Sequence, residues 1–166
     1  MKNRFIPATA VLMLAMGASP AAFRVPARAA ESSPRPDFTG VWKLNLQKSK
    51  LQVPAPESGV FRIEHREPSF KLSRTFIRDG KEDTWGIGLT TDGKEVVQEE
   101  KSETFRGRLT WVGSDLFLDS TISMGTRTAT NKVTYHLSED SRILTAAESF
   151  RGPIQKHDNL WVFDKE

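Results

Sequence analysis

The chain has 166 residues, a formal net charge of +3 and no cysteine, which excludes a disulfide framework and a lipidated cysteine at a signal junction. The first 29 residues hold four basic residues and no acid, so the remainder has a formal charge of −1. A net charge this small gives no overall positive electrostatic field that would attract polyanions. It therefore argues against nucleic acid as a partner.

Residues 1–29 have the three parts of a secretory signal peptide. A basic start with Lys2 and Arg4 precedes an apolar run over residues 5–18, and Ala27-Arg28-Ala29 gives a small-residue cleavage site before Ala30. Cleavage near Ala21 is an alternative. The apolar run is too short to span a bilayer, which needs roughly 20 apolar residues.

These features predict export, to the periplasm or the extracellular space, with no integral membrane segment left after signal cleavage. Residues 30–37 contain Pro34 and Pro36 among polar residues and predict a flexible linker. Residues 38–166 are enough for one domain with a single core.

From Phe38 onward, apolar residues alternate with polar ones, and turn residues interrupt this pattern every 8 to 14 positions. Glycine, aspartate and serine at these breaks, such as Asp79-Gly80 and Asp92-Gly93, favour hairpin turns. The pattern predicts an all-β fold, a single antiparallel meander β-barrel of about 8–10 strands. The inward faces are predicted to include Phe38-Gly40-Trp42-Leu44-Leu46, Phe61-Ile63-His65, Phe70-Leu72-Arg74-Phe76, Trp85-Ile87-Leu89, Phe105-Gly107-Leu109-Trp111, Leu116-Leu118-Ser120-Ile122, Val133-Tyr135-Leu137, Leu144-Ala146-Glu148-Phe150 and Trp161-Phe163.

These inward faces combine large aromatic residues with small ones such as Gly40, Gly107 and Ala146. Small residues opposite large ones are compatible with a ligand cavity, and equally with an interlocked solid core. Both alternatives stay open at the level of the sequence.

The opening strand, Phe38-Thr39-Gly40-Val41-Trp42-Lys43-Leu44, resembles that of the calycins, the superfamily of lipocalins and fatty-acid-binding proteins. Together with Lys48-Ser49-Lys50, Thr91-Asp92-Gly93-Lys94-Glu95 and Trp161-Val162-Phe163-Asp164-Lys165, it is similar to exported bacterial lipocalin-like proteins, most of which have no assigned activity. The resemblance implies a lipocalin-like barrel in which Gly40 and Trp42 form a structural motif. Glycine would allow close packing there, and the tryptophan would plug one barrel end.

The chain departs from the fatty-acid-binding proteins in two ways and from the lipocalins in a third. Residues 47–58 carry Pro54 and Pro56, which oppose the two helices that this family inserts there. The last strand lacks the family's Arg-x-Tyr pair, so fatty-acid binding is not implied. For the late arginine that lipocalins stack over the motif tryptophan, the nearest candidates are Arg151, Lys156 and Lys165, none clearly in register.

Arg74 is unusual because the alternation places it between Leu72 and Phe76 on an apolar face, where an unpaired guanidinium is costly. Glu148, inward by the same reasoning, is a possible partner, and so is a ligand carboxylate. A bulge or one-residue slip that turns Arg74 outward is the alternative.

The three histidines, His65, His136 and His157, lie on separate predicted strands without metal-ligand spacing, so neither a metal site nor a cofactor is predicted. The sequence contains no Gly-x-Ser-x-Gly or Ser-x-x-Lys motif and no cysteine nucleophile, and no catalytic residue is predicted.

The leading hypothesis is an exported, non-enzymatic barrel that binds a small hydrophobic or amphipathic molecule. Its candidate binding residues are Phe61, His65, Phe70, Arg74, Phe76, Trp111, Tyr135 and Glu148. A solid-cored envelope interaction module is the alternative. An enzyme at the barrel mouth, with His65 and a carboxylate such as Glu148 as acid and base, is a third and less favoured hypothesis.

Overall fold

The structure is a computed structural model that describes residues 35–166. The predicted signal peptide and residues 30–34 of the predicted linker lie outside the described residues. Ten strands form one antiparallel sheet: β1 (Gly40–Leu44), β2 (Ser58–Arg66), β3 (Ser69–Arg78), β4 (Lys81–Thr90), β5 (Val96–Glu100), β6 (Glu103–Val112), β7 (Asp115–Met124), β8 (Arg127–Leu137), β9 (Ile143–Arg151) and β10 (Lys156–Lys165). No helix of the described residues is long and apolar enough to cross a membrane.

The sheet is a meander that curls into a nearly closed barrel, which confirms the predicted fold class. Each strand pairs with its neighbour in sequence except β4 with β5, and β1 pairs with β10 to join the two ends of the chain. The registers Trp42↔Phe61 and Trp42↔Lys165 place the motif tryptophan at this junction. Among strands of this sheet that follow one another in sequence, only β4 and β5 are not joined by a regular ladder of hydrogen bonds.

The turns have the backbone conformations that their residues favour. Asp79 and Gly80 both have positive φ, 50° and 66°, as the two central residues of a type I′ hairpin turn require. Gly93, Gly113 and Gly125 also have positive φ, each in a turn between two strands. Short connections of this kind make successive strands antiparallel neighbours.

The barrel has two different ends. The closed end contains the N-terminal residues 35–39 and the turns at residues 67–68, 91–95, 113–114 and 138–142. The open end contains the turns at 79–80, 101–102, 125–126 and 152–155, together with the long β1–β2 loop, residues 45–57. Fully buried side chains of the core include Phe38, Trp42, Phe70, Leu109, Leu116, Leu144 and Phe163.

The inward alternation predicted from the sequence is observed on most strands. On β3, Phe70, Leu72 and Phe76 are buried, whereas Lys71 is exposed. Leu46 is an exception, because β1 ends at Leu44 and the side chain of Leu46 is 40% exposed in the following loop. Residues 45–57 contain no helix, as Pro54 and Pro56 predicted.

Candidate ligand-binding site

A cavity of about 510 Å³ lies inside the barrel and reaches the open end. One wall is aromatic, and residues of the β5–β6 turn form part of the rim. The lining includes Phe61, Leu72, Phe76, Trp85, Phe105, Leu118, Ile122, Val133, Tyr135, Ala146 and Trp161 as apolar or aromatic residues, and Arg74, Asp83, Thr84, Gln98, Glu100, Lys101, Ser102, Glu103, Ser120, Asn131 and Glu148 as polar ones. Its volume lies within the range of about 300–1,000 Å³ that is usual for small-molecule pockets.

The aromatic wall is built by side chains that contact one another across strands. The rings of Phe76 and Trp161 stack with centroids 5.2 Å apart, and those of Phe61 and Phe76 lie 6.1 Å apart. On the other side of the cavity, Trp85 of β4 contacts Phe105 of β6 with a centroid distance of 5.7 Å. Such flat, rigid surfaces offer large apolar contact areas to a ligand.

Arg74 points into the barrel, as the alternation of β3 predicted. Its Nη2 donates to Asp83 Oδ2 at 3.2 Å, and its guanidinium lies 5.1 Å from the ring centre of Phe76. Its Nε is buried and has no hydrogen-bond partner among the described residues. Burial lowers the pKa of Arg74, whereas the nearby Asp83 carboxylate opposes this decrease. The ion-pair partner of Arg74 is thus Asp83 and not Glu148, the partner that the alternation suggested.

Glu148 extends from β9 into the cavity and accepts hydrogen bonds from neutral donors. Its Oε2 accepts from Asn159 Nδ2 at 2.8 Å and from Trp161 Nε1 at 2.9 Å, and its Oε1 accepts from Asn131 Nδ2 at 3.2 Å. His157 Nε2 lies 3.7 Å from Oε2. The carboxylate is therefore oriented by three N–H groups from β8 and β10.

Tyr135 and Asn131 lie on the same face of β8 and complete the polar wall. Burial raises the pKa of the Tyr135 hydroxyl, and Glu148 adds to this rise while Arg74 opposes it. Tyr135 therefore stays protonated at neutral pH. The Oδ1 atom of Asn131 is buried and accepts no hydrogen bond from the described residues.

The structure divides the eight candidate binding residues between the two ends of the barrel. Five of them line the cavity: Phe61, Arg74, Phe76, Tyr135 and Glu148. The other three, His65, Phe70 and Trp111, are not among its lining residues and pack with Phe38 at the closed end. A role of any of the eight in binding a ligand stays a prediction.

The hypothetical acid–base pair of His65 and Glu148 is not assembled, because the two side chains lie in different parts of the barrel. His65 Nδ1 accepts from the Phe38 backbone N–H at 3.3 Å, so its proton is assigned to Nε2, which lies 3.2 Å from Glu67 Oε1. His136 contacts Asp115 on the outer surface, and His157 stacks on Phe150. Within residues 35–166, no three potential metal ligands converge.

Several cavity residues were not among the predicted binding residues. Asn131 lies two positions before Val133 on the inward face of β8, so the alternation had only to be extended to find it. Trp85, Phe105 and Trp161 were predicted to point inward but were not assigned to the site. The rim residues 100–103 belong to a turn, and periodicity gives no signal for them.

No protein-family model and no curated protein sequence matches this chain. Solved structures resemble it in fold. The secretory abundant heat soluble protein 4 from Ramazzottius varieornatus has a TM-score of 0.54 and 13% identity, with 78% of this chain and 95% of that chain covered. A second secretory abundant heat soluble protein from the same organism has a TM-score of 0.54 and 10% identity, with coverages of 77% and 95%.

The zebrafish ileal bile acid-binding protein complexed with cholic acid overlaps less well, with a TM-score of 0.48, 17% identity and coverages of 78% and 98%. At these identities the likeness to solved structures shows the fold alone.

Proposed function

We propose that this barrel binds a small, partly apolar molecule in its cavity and catalyses no reaction on it. The observation that carries this proposal is the open cavity of about 510 Å³, with aromatic walls and a few convergent polar groups. This combination is typical of small-molecule sites. It favours ligand binding over a solid-cored module, whose interior would be filled by side chains.

The polar groups support binding rather than catalysis. Arg74 is paired with Asp83, and Glu148 accepts three hydrogen bonds, so both side chains are held in place by their neighbours. Within the described part of the chain, the cavity lining contains no histidine and so no imidazole base beside Ser120 or Ser102. Groups arranged in this way can orient a ligand.

Ala146 and Ala147 provide a matched test of cavity binding. Ala146 is buried in the cavity lining, whereas the adjacent Ala147 is exposed on the outer face of β9. In a fluorescence titration with the neutral apolar probe N-phenyl-1-naphthylamine, we expect saturable binding to the unmodified protein. Because an indole would take up space that the probe needs, Ala146→Trp should weaken binding by about tenfold or more, equivalent to ~1.4 kcal/mol.

Ala147→Trp adds the same side chain on the outside and should leave the affinity unchanged within about twofold, well under ~1 kcal/mol. Circular dichroism would verify that both variants fold. Equal effects of the two substitutions, or no saturable binding of the probe or of any member of a hydrophobic ligand panel, would contradict the proposal. If the probe binds as expected, native mass spectrometry of protein purified from its source would identify the natural ligand.

We also propose that the barrel acts outside the cytoplasm, in the periplasm or the extracellular space. The support is the sequence of residues 1–29 alone, with its basic start, apolar run and small-residue cleavage site. N-terminal sequencing of the mature protein should give a start near residue 22 or residue 30. A start at Met1 in a cytoplasmic fraction would contradict export.

A further inference from the structure

The charged residues of the cavity lining are predominantly acidic. Asp83, Glu100, Glu103 and Glu148 face only two basic residues, Arg74 and Lys101. Arg74 is moreover engaged by Asp83 at 3.2 Å. A carboxylate-ended ligand would therefore meet a guanidinium that already has an anionic partner, within a wall of like charge.

Glu148 carries the negative charge deepest in the polar wall. Its three hydrogen-bond donors, Asn131, Asn159 and Trp161, are all neutral, and the nearest basic side chain described, His157, has its Nε2 at 3.7 Å. A carboxylate offers about four acceptor sites, so these three bonds leave capacity for another donor. A ligand cation would supply a fourth donor and a direct positive partner, whereas Arg74 attracts Glu148 only from beyond ion-pair distance.

Two features next to Glu148 also suit a cationic head group of a ligand. Asn131 donates to Glu148 through Nδ2, and its Oδ1 is a buried acceptor without a partner in the described chain, so the residue that holds Glu148 brings a second acceptor. The Trp161 ring that donates to Glu148 also stacks on Phe76. A protonated primary amine has three N–H donors and interacts favourably with aromatic faces.

From this arrangement we infer that the ligand is an amphipathic amine, whose ammonium group binds at Glu148 and Asn131 while its apolar body lies against the aromatic wall. This inference rests on the proposed function, which it narrows to one chemical class. It predicts discrimination against fatty-acid-like carboxylates of the same size.

The test is displacement of bound N-phenyl-1-naphthylamine at pH 7 by dodecylamine, dodecan-1-ol and dodecanoate, all below their micelle concentrations. We expect dodecylamine to displace the probe at a concentration about tenfold or more below that of dodecanoate, with the alcohol between them. Dodecyltrimethylammonium, which is cationic but lacks N–H donors, should bind more weakly than dodecylamine.

Glu148→Gln should reduce the advantage of the amine over the alcohol to about threefold or less, because the neutral amide removes the counter-charge. Glu64→Gln is the matched control: Glu64 is exposed on β2, where it pairs with Lys71, and its removal should leave the order unchanged. The comparison of the four ligands on the unmodified protein remains decisive if Glu148→Gln fails to fold.

Dodecanoate displacing the probe as well as dodecylamine does, or a folded Glu148→Gln protein with an undiminished preference for the amine, would overturn the inference while leaving cavity binding intact. A protein that binds neither the probe nor any of these amphiphiles would instead contradict the proposed function itself.

Discussion

At the scale of single residues, Trp42 lies where the first strand, β1, pairs with the last strand, β10. Its side chain is fully buried, its Nε1 donates to the Phe38 carbonyl at 3.0 Å, and Lys165 Nζ lies 5.1 Å from its ring centre. From the sequence, Arg151, Lys156 and Lys165 were the nearest late candidates to lie over this tryptophan, none clearly in register. The ladder resolves this question in favour of Lys165, which is the register partner of Trp42. The contact is structural, because neither residue lines the cavity.

Glycine positions give a prediction about the aromatic wall. A Cβ at Gly107 would lie 2.5 Å from Cζ of the Phe105 ring, whereas a Cβ at Gly88 would meet no atom within 4 Å. We expect Gly107→Ala to displace Phe105 into the cavity, to destabilise the protein by about 1–2 kcal/mol and to weaken probe binding. Gly88→Ala, in a strand of ordinary backbone, should change stability by less than about 1 kcal/mol.

Urea unfolding and probe titration of the two glycine variants would check this contrast. An unchanged affinity in Gly107→Ala would mean that Phe105 does not shape the binding site.

At the scale of elements, the β1–β2 loop is tied to the cavity through one buried side chain. Asn159 Oδ1 accepts from the Gln52 backbone N–H at 2.7 Å, and its Nδ2 donates to Glu148 at 2.8 Å. Lys50 also forms a backbone bridge with Leu160, so the loop runs beside β10 beyond the end of β1. The loop therefore occupies the open end without any helix and is anchored to the same residue that orients Glu148.

Replacing Asn159 should release the loop and loosen Glu148 together. In Asn159→Ala we expect faster hydrogen exchange at the amides of residues 50–53 and a loss of stability of about 1–3 kcal/mol, because the Gln52 N–H loses its acceptor and Glu148 Oε2 loses one of its two donors. Ser49→Ala is the control, since the Ser49 hydroxyl bonds the backbone at Asn45 and Val162 and does not contact Glu148. If Asn159→Ala and Ser49→Ala had the same preference among ligands, Asn159 would anchor the loop but would not affect binding through Glu148.

The elements also show what the sequence could predict. Nine of the ten strands were found from alternation, since each places apolar side chains on the core face. Strand β5, Val96–Glu100, was missed because its five residues end in Gln98-Glu99-Glu100 and pair on one side only. Alternation assigns a face but not a height along the barrel axis. Arg74 and His65 were therefore both predicted inward, whereas only the contacts of the fold place them at different levels.

At the scale of the whole molecule, the closed end is held by one carboxylate that connects four separate segments. Glu67, in the β2–β3 turn, accepts hydrogen bonds from Thr91 Oγ1 at 2.6 Å and Trp111 Nε1 at 2.8 Å. Arg35 Nη1 lies 3.4 Å from the same carboxylate and its guanidinium is 5.1 Å from the Trp111 ring centre. The N-terminal segment, two turns and β6 are thus joined at one point, close to the buried Phe38.

This arrangement predicts how acid weakens the closed end. Burial by itself would raise the pKa of the Glu67 carboxyl, but hydrogen bonds from Thr91, Trp111 and His65 hold it below its usual 4.5. A carboxyl with a lowered pKa contributes stability that is fully present above its unfolded-state pKa and is lost as the pH falls through its lower folded-state pKa. The contribution of Glu67 should therefore be complete at pH 6 and should diminish below about pH 4.5.

Because Glu67 is partly exposed, we expect Glu67→Gln to lower the free energy of unfolding at pH 7 by only about 1 kcal/mol. The difference in free energy of unfolding between Glu67→Gln and the unmodified protein should shrink as the pH is lowered. Protonation of Glu67 removes from the unmodified protein the same carboxylate that the substitution removes. Urea unfolding at pH 7, 5 and 3.5 would measure this difference, with Glu64→Gln on the outer face of β2 as a control that has little effect at any pH. A Glu67→Gln difference that stays constant down to pH 3.5 would show that the ionised carboxylate is not what joins these segments.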